Sequence, residues 1–373
     1  MNLPAPGPLS GLRIVEFAGL GPAPYATMLL ADLGADVIRI ERVREVTFVD
    51  PAIDLLNRGK RSIALDLKRE SDLEVVMQLL DRSDGLVEGF RPGVMERLGL
   101  GPDPVLTRRP SLVYGRMTGW GQTGPLAPRA GHDLNYLAVT GALHAIGARD
   151  AAPAIPLNLV ADFGGGGMLM AFGMMSALWR VAQGGAGQVV DAAMVDGAAS
   201  LMTMTYSFLA AGSWQDQRGS NLLDGGAAHY GTYACSDGAW LAVAPLEPAF
   251  LTRFLHVVGI DAGEFGAADD PTRWPRQRGL LEAALATASR DEWIARFEGI
   301  DACVAPVLSM NEAPQFAHNR ARDTFVAIDD RPGRYQPGPV PRFSATPAAR
   351  PGRPPMPGEH TDAVLAELGI RRT

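Results

Sequence analysis

One histidine and two carboxylates sit where the backbone leaves room for a reacting ligand. His132, in Gly131-His132-Asp133-Leu134-Asn135-Tyr136, stands at the start of a helical pattern. The free N–H groups of a first helical turn are available to an anion there, and Asp133 suits that turn. The same placement also fits a histidine used only in structure. Asp162, in Asn158-Leu159-Val160-Ala161-Asp162-Phe163, precedes Gly164-Gly165-Gly166-Gly167 and an apolar helix. Glycines there let backbone approach a ligand closely, and an N-cap aspartate gives the same pattern. Glu247-Pro248 follows a β-like run and reads equally as an ordinary helix start. A further candidate is Gly19-Leu20-Gly21-Pro22-Ala23-Pro24 after a strand, with an acid at Glu41. Such a turn can bring a pyrophosphate to a helix N-terminus while the acid holds a ribose, as in a nicotinamide-dependent oxidoreductase. Pro24 occupies the third glycine position, so a plain βα turn with prolines in the first helical turn competes with that reading.

The elements that must position these groups alternate over the first 120 residues. Residues 12–18, 36–41, 61–67, 85–88 and 112–116 read as strands, and 24–33 and 72–80 have helical spacing. The alternation predicts right-handed βαβ crossovers and a mainly parallel sheet, an α/β fold. From 133 to about 211 the chain reads as mostly helical. Residues 231–235 and 240–244 then read as a hairpin around Ser236-Asp237-Gly238, with helices at 248–257, 278–286 and 291–297. The last is announced by a capping box, Ser289 with Glu292. Residues 331–358 read as an extended connector and 361–368 as a closing helix. The expected organisation is a large Rossmann-like domain over 1–192, a linker helix over 193–225, a smaller α+β domain over 226–303, a linker over 304–322 and a return to the large domain over 323–373.

Composition narrows the function classes. At 47% apolar residues, the 373-residue chain buries a sizeable core, which excludes general disorder. Two cysteines, Cys235 and Cys303, exclude a disulfide scaffold and a cysteine-rich metal site, and no metal is expected. A net charge of −7 argues against nucleic acid but permits a local basic pocket for an acidic ligand. The uncharged stretches 163–179 and 197–215 read as buried helices rather than membrane spans. No charged segment followed by an apolar run opens the chain, so a cytoplasmic protein without a signal peptide is expected. Of 34 basic side chains only Lys60 and Lys68 are lysines, and they bracket the third strand.

The blocks PLSGLRIVEFAGLGPAPYATMLLADLGADVIRIER, RPGVMERLGLGP, RMTGWGQTGP, GHDLNY, PLNLVADFGGGG, GQVVDAAMVDG, NLLDGGA and DACVAPVL together resemble the type III (CaiB/BaiF) CoA-transferase family, and several resemble its α-methylacyl-CoA racemase branch. The resemblance implies inversion of the α-carbon of 2-methylacyl-CoA thioesters, with a proton removed on one face and returned on the other. His132 and Asp162 match the two bases, and Glu247 matches the glutamate that orients and charge-stabilises the histidine. A His/Asp pair supplies two acid/base groups without metal or cofactor. An unperturbed aspartate returns a proton poorly near neutrality, so Asp162 is expected to be partly desolvated with a raised pKa. The helix opening at Asp133 offers a backbone N–H for the enolate.

Family contacts to the CoA portion fall on Arg42, Leu65, Asp66, Leu67, Lys68, Gly89, Phe90, Arg91, Arg97, Gly131, Asp133, Leu134, Asn135 and Tyr136. Arginine forks at Arg42, Arg91 and Arg97 suit phosphate, and Lys60 and Lys68 could add positive charge beside the nucleotide. The resemblance further implies an interlocked homodimer in which His132 and Glu247 meet across subunits, with no nucleic-acid or membrane partner. Ala228-His229 and Ala244-Pro245-Leu246-Glu247-Pro248 depart from the family pattern. Alternatives are a type III CoA transferase with Asp162 as nucleophile, a nicotinamide-dependent oxidoreductase and a non-catalytic acyl-CoA binder.

Overall fold

The computed structural model describes residues 7–42 and 49–371, which divide into two compact units. The first comprises residues 1–140, 157–201 and 317–373, and the second 141–156 and 202–316.

In the first unit, β1 (Arg13–Phe17), α1 (Pro22–Asp32), β2 (Asp36–Glu41), β3 (Arg61–Ala64), α2 (Glu70–Leu80), β4 (Gly85–Glu88), α3 (Val94–Arg97), α4 (Pro102–Arg108) and β5 (Val113–Thr118) follow one another. A sixth strand, β6 (Val189–Ala193), completes an all-parallel sheet of order β3-β2-β1-β4-β5-β6. β2, β4 and β5 are buried along their whole length, as expected of parallel strands covered on both faces. The order reverses between β1 and β4, so a ligand crevice is expected outside the carboxyl ends of those strands. β6 is a strand that the reading of 133 to about 211 as mostly helical did not single out. It is an edge strand with alternate residues exposed, so it carries no long apolar run.

After α5 (Asp133–Ala138), a π-helical stretch Leu159–Met168 runs directly into the helix Leu169–Ala182. The glycine run inside it faces protein. A Cβ on Gly197 would stand 1.8 Å from the Gly165 carbonyl oxygen, and one on Gly165 would stand 2.5 Å from the Ala198 nitrogen. Only glycine lets the π-helical stretch and the helix Met194–Leu201 approach backbone to backbone. Leu159–Ala182 is long and apolar enough to cross a membrane by length and composition. Here Met170 and Met174 are buried and reach the glycines of β4 and β5, which makes it a packing helix of the sheet.

β3 lies at the sheet edge, and the returning chain covers it with side chains. The Ser62 N–H donates to Nδ1 of His360 (3.2 Å), the His360 N–H donates to the Ser62 carbonyl (2.8 Å), and the Ala64 N–H donates to Oγ1 of Thr361 (3.0 Å). The Gly358 N–H donates to Oγ of Ser62 (2.7 Å). The helix Thr361–Glu367 then places Val364 and Leu365 in the core with Val75, Leu79 and Met95.

The second unit has an antiparallel sheet of β7 (Gly231–Ala234), β8 (Trp240–Val243) and β9 (Val304–Pro306). Helices Pro248–Val258, Trp274–Leu285 and Arg290–Arg296 pack on a core that includes Tyr233, Leu241, Phe254, Leu281 and Trp293. The Glu292 carboxylate accepts from the Ser289 N–H (2.8 Å), as the capping box predicts. Boundaries differ from the sequence reading at several places, including the following. Residues 141–156 belong with the second unit, the helix Met194–Leu201 belongs to the first rather than to a linker, and 304–316 stay in the second because β9 pairs with β8. The connector 331–358 contains β11 (Tyr335–Pro337), paired antiparallel with β10 (Phe325–Ala327).

Candidate active site

His132 caps α5 with its backbone in an extended conformation. The Asn135 side-chain oxygen accepts from the His132 N–H (3.0 Å), and the Asn135 N–H donates to the His132 carbonyl (2.8 Å). These reciprocal bonds fix the entry to the helix and leave the imidazole exposed. Tyr136 hydrogen-bonds the Gly131 carbonyl and meets Trp120 edge-on, with ring centroids 4.8 Å apart.

Asp162 lies in the first turn of the π-helical stretch, and Asp133 holds it there. One Asp133 oxygen accepts from both the Ala161 N–H (2.9 Å) and the Asp162 N–H (2.8 Å). The other Asp133 oxygen is buried and has no partner among the described residues. The Asp133 carboxylate therefore ties α5 to the backbone of Asp162, and Asp133 is not among the residues lining the cleft described next. Asp162 is half-buried, and its carboxylate accepts from the Asn158 amide (3.2 Å). Burial raises its pKa, and the neighbouring charge of Asp133 pushes the same way, while the Asn158 hydrogen bond and His132 oppose the shift.

His132 and Asp162 line one cleft of about 500 Å³ with Gly19, Gly21, Phe90, Arg91, Trp120 and Tyr136. Its walls come from the loops after β1, β4 and β5, at the carboxyl ends where the strand order reverses. The Gly19-Leu20-Gly21 turn thus borders the same cleft as His132 and Asp162. Glu41, the acid of the dinucleotide reading, is occupied by Arg39 Nε (3.0 Å) and by the Ser62 hydroxyl.

A second cleft of about 890 Å³ is lined by Arg42, Leu65, Asp66, Leu67, Lys68, Phe90 and Arg91, with Phe17, Ile40, Val94 and Leu98 among its other walls. Phe90 and Arg91 border both clefts, so the two adjoin along this one turn. The remaining expected CoA contacts divide. Gly89, Gly131 and Tyr136 line the smaller cleft, while Arg97, Leu134 and Asn135 line neither.

Lys60 departs from its expected place beside the nucleotide. It is buried, donating to Glu16 (2.7 Å), the Pro24 carbonyl (3.0 Å) and Asn57 (3.3 Å). Burial draws its pKa down to about 8 against the pull of Glu16. The only lysine on the cleft is Lys68.

Glu247 belongs to the second unit, where it is the exposed N-cap of the helix Pro248–Val258. His229, one of the departures from the family pattern, is buried in the same unit. Its Nδ1 has no partner among the described residues, and burial holds its pKa below the usual value. Among the described residues no group of three or more His, Cys, Asp or Glu is arranged to hold a metal ion.

The chain belongs to CoA-transferase family III, which residues 9–361 match. It is 42% identical to the alpha-methylacyl-CoA racemase of Mus musculus over 363 residues, covering 97% of this chain and 93% of that one. With the alpha-methylacyl-CoA racemase of Homo sapiens it shares 40% identity over 365 residues, covering 98% and 94%. The crystal structure of a CAIB/BAIF family protein from Brucella suis superposes with a TM-score of 0.83 at 28% identity, covering 97% of this chain and all of that one.

Proposed function

We propose that this protein is an isomerase, an α-methylacyl-CoA racemase that interconverts (2R)- and (2S)-2-methylacyl-CoA thioesters by proton transfer. The observation that carries the reading is the joining of His132 and Asp162 in one cleft to a larger, partly basic cleft along Phe90–Arg91. CoA lies in the larger cleft against Arg42, Lys68 and Arg91, and the thioester passes the shared turn into the smaller one. One of the two bases removes the α-proton, giving an enolate. The other then delivers a proton to the opposite face, so the two groups exchange protonation states in each turnover. The Asp133 N–H, at the first position of α5, has no intrahelical acceptor and meets the enolate oxygen. The raised pKa of Asp162 brings its acid form closer to the working range of a histidine. This chemistry calls for no metal or organic cofactor.

The reading includes a homodimer acting in the cytoplasm, where CoA thioesters are found. Phe172 and Trp179, on the helix Leu169–Ala182, are 69% and 67% exposed, an apolar face that a second copy would cover. In that dimer Glu247 of one subunit backs His132 of the other. The deciding experiment incubates a single enantiomer of a 2-methylacyl-CoA with the protein in deuterated water. Scrambled configuration with deuterium at the α-carbon is the expected result. Movement of CoA onto an added acid without such exchange would assign Asp162 the role of nucleophile in a CoA transferase instead.

A further inference from the structure

Beneath the turn shared by the two clefts lies a chain of charged groups that the sequence reading did not single out. Glu88, the last residue of β4, is fully buried. One of its oxygens accepts from the Phe90 N–H (2.7 Å), and the other accepts from Nε of Arg116 (3.0 Å). Arg116 stands opposite Glu88 in the register of β4 and β5. Its remaining nitrogens donate to the Glu96 carboxylate of α3 at 2.8 and 3.3 Å. A carboxylate–guanidinium–carboxylate chain thus links two strands and a helix under residues 89–93.

We propose that Glu88 is a positioning residue for acyl-CoA: it fixes the Phe90–Arg91 turn that forms the wall common to both clefts. This rests on the reading of the larger cleft as the CoA site. The geometry requires a carboxylate with both oxygens free to accept, since both donors are present and Glu88 is fully buried. Phe90 held in this way packs edge-on to Phe17 at 6.0 Å, and the next residue, Arg91, faces the ligand. Glu88 acts through that turn and touches no reacting atom.

Burial raises the pKa of Glu88 to about 7, against the Phe90 N–H and Arg116, which favour the ionised form. The other groups facing it are Glu96, which pushes the same way as burial, and the Tyr114 ring on β5. Protonation leaves one fewer acceptor for the two donors. The turn is therefore held most firmly above pH 7 and loosens below it.

The test measures binding of free CoA by calorimetry between pH 6 and pH 8.5 for the parent, Glu88→Gln and Glu96→Ala, with steady-state kinetics on a 2-methylacyl-CoA alongside. Glu88→Gln should weaken CoA binding and raise KM about 10-fold at pH 8.5, with kcat changed less than about 3-fold. It should also lack part of the weakening that the parent shows towards pH 6. Comparison at equal pH cancels the titration of CoA itself. Glu96→Ala, at a partly exposed position, should raise KM about 3-fold and move the parent's pH response to lower pH, because the charge that raises the Glu88 pKa is gone. Equal CoA affinity in Glu88→Gln and the parent at pH 8.5 would overturn the proposal. Should that variant not fold, unchanged affinity in Glu96→Ala does so. A parent protein that binds no CoA at any pH would instead overturn the assignment of the cleft.

Discussion

At the residue scale, the two proposed bases differ in how they are held. His132 is an exposed ring on a fixed backbone, whereas Asp162 is a half-buried carboxylate beside a second acid, Asp133. If each serves one face, Asp162→Asn loses inversion in both directions but keeps slow deuterium uptake from the one enantiomer whose proton faces His132. His132→Ala should show the opposite preference, and mass spectrometry of each recovered enantiomer reads both. Equal exchange of both enantiomers in either variant would mean that one group serves both faces. The same burial has a consequence for stability. A carboxyl group whose folded pKa lies above its unfolded value binds more protons when folded, so its contribution worsens as pH rises through that interval. Asp162→Asn should therefore unfold no more easily than the parent at pH 7.5, and its relative stability should improve from pH 4 upwards in denaturant titrations. Asp133→Ala should instead destabilise the fold. It strips a buried and a partly buried N–H group of their shared acceptor, at about 1–3 kcal/mol for the buried one and less for the other, and lets the Asp162 backbone drift. The sharing of one cleft by His132 and Asp162 agrees with the resemblance of their blocks, which spacing alone left open. The second role of Asp133 was not legible in the sequence, because its partners are backbone groups 28 and 29 residues away that no residue type announces.

At the element scale, the first five strands are readable because parallel strands are short apolar runs bounded by turns, and these read within a few residues of their limits. β6 escaped because an edge strand with alternate exposure needs little apolar sequence. The four glycines carried a real signal that was given the wrong object. They admit a neighbouring helix, and the evidence of that use lies at Gly197, 32 positions beyond Gly165. Gly197→Ala should destabilise the fold by about 1–3 kcal/mol or more through overpacking, because the obstacle is backbone and cannot rotate aside. Thermal unfolding measures it, and an unchanged Tm would show that the two segments separate easily. Buried charge was the other blind spot. Lys60 directly precedes β3, and Arg39 and Arg116 lie within β2 and β5, where a sequence shows only a cation and the fold decides whether it meets ligand or carboxylate.

At the scale of the whole molecule, the strand order locates the smaller cleft, but the division into units follows contacts that the sequence does not display, such as β9 pairing with β8 across some 60 residues. His132 and Glu247 fall in different units. If they meet across a dimer, mixing His132→Ala with Glu247→Ala protein under subunit exchange should restore part of the activity, since one heterodimer site then has both groups. No recovery, with exchange confirmed by native mass spectrometry, would place the pair within one chain. The cover over β3 raises a different matter, that of time. Ser62 waits for His360, which lies 298 positions later in the chain. At about 5–20 residues per second of synthesis, the nascent protein carries a bare sheet edge for roughly 15–60 s before its cover leaves the ribosome. Such an edge is a template for pairing with any passing strand. Slow translation of the later half therefore lengthens the interval in which chaperones, rather than the chain itself, must shield that edge.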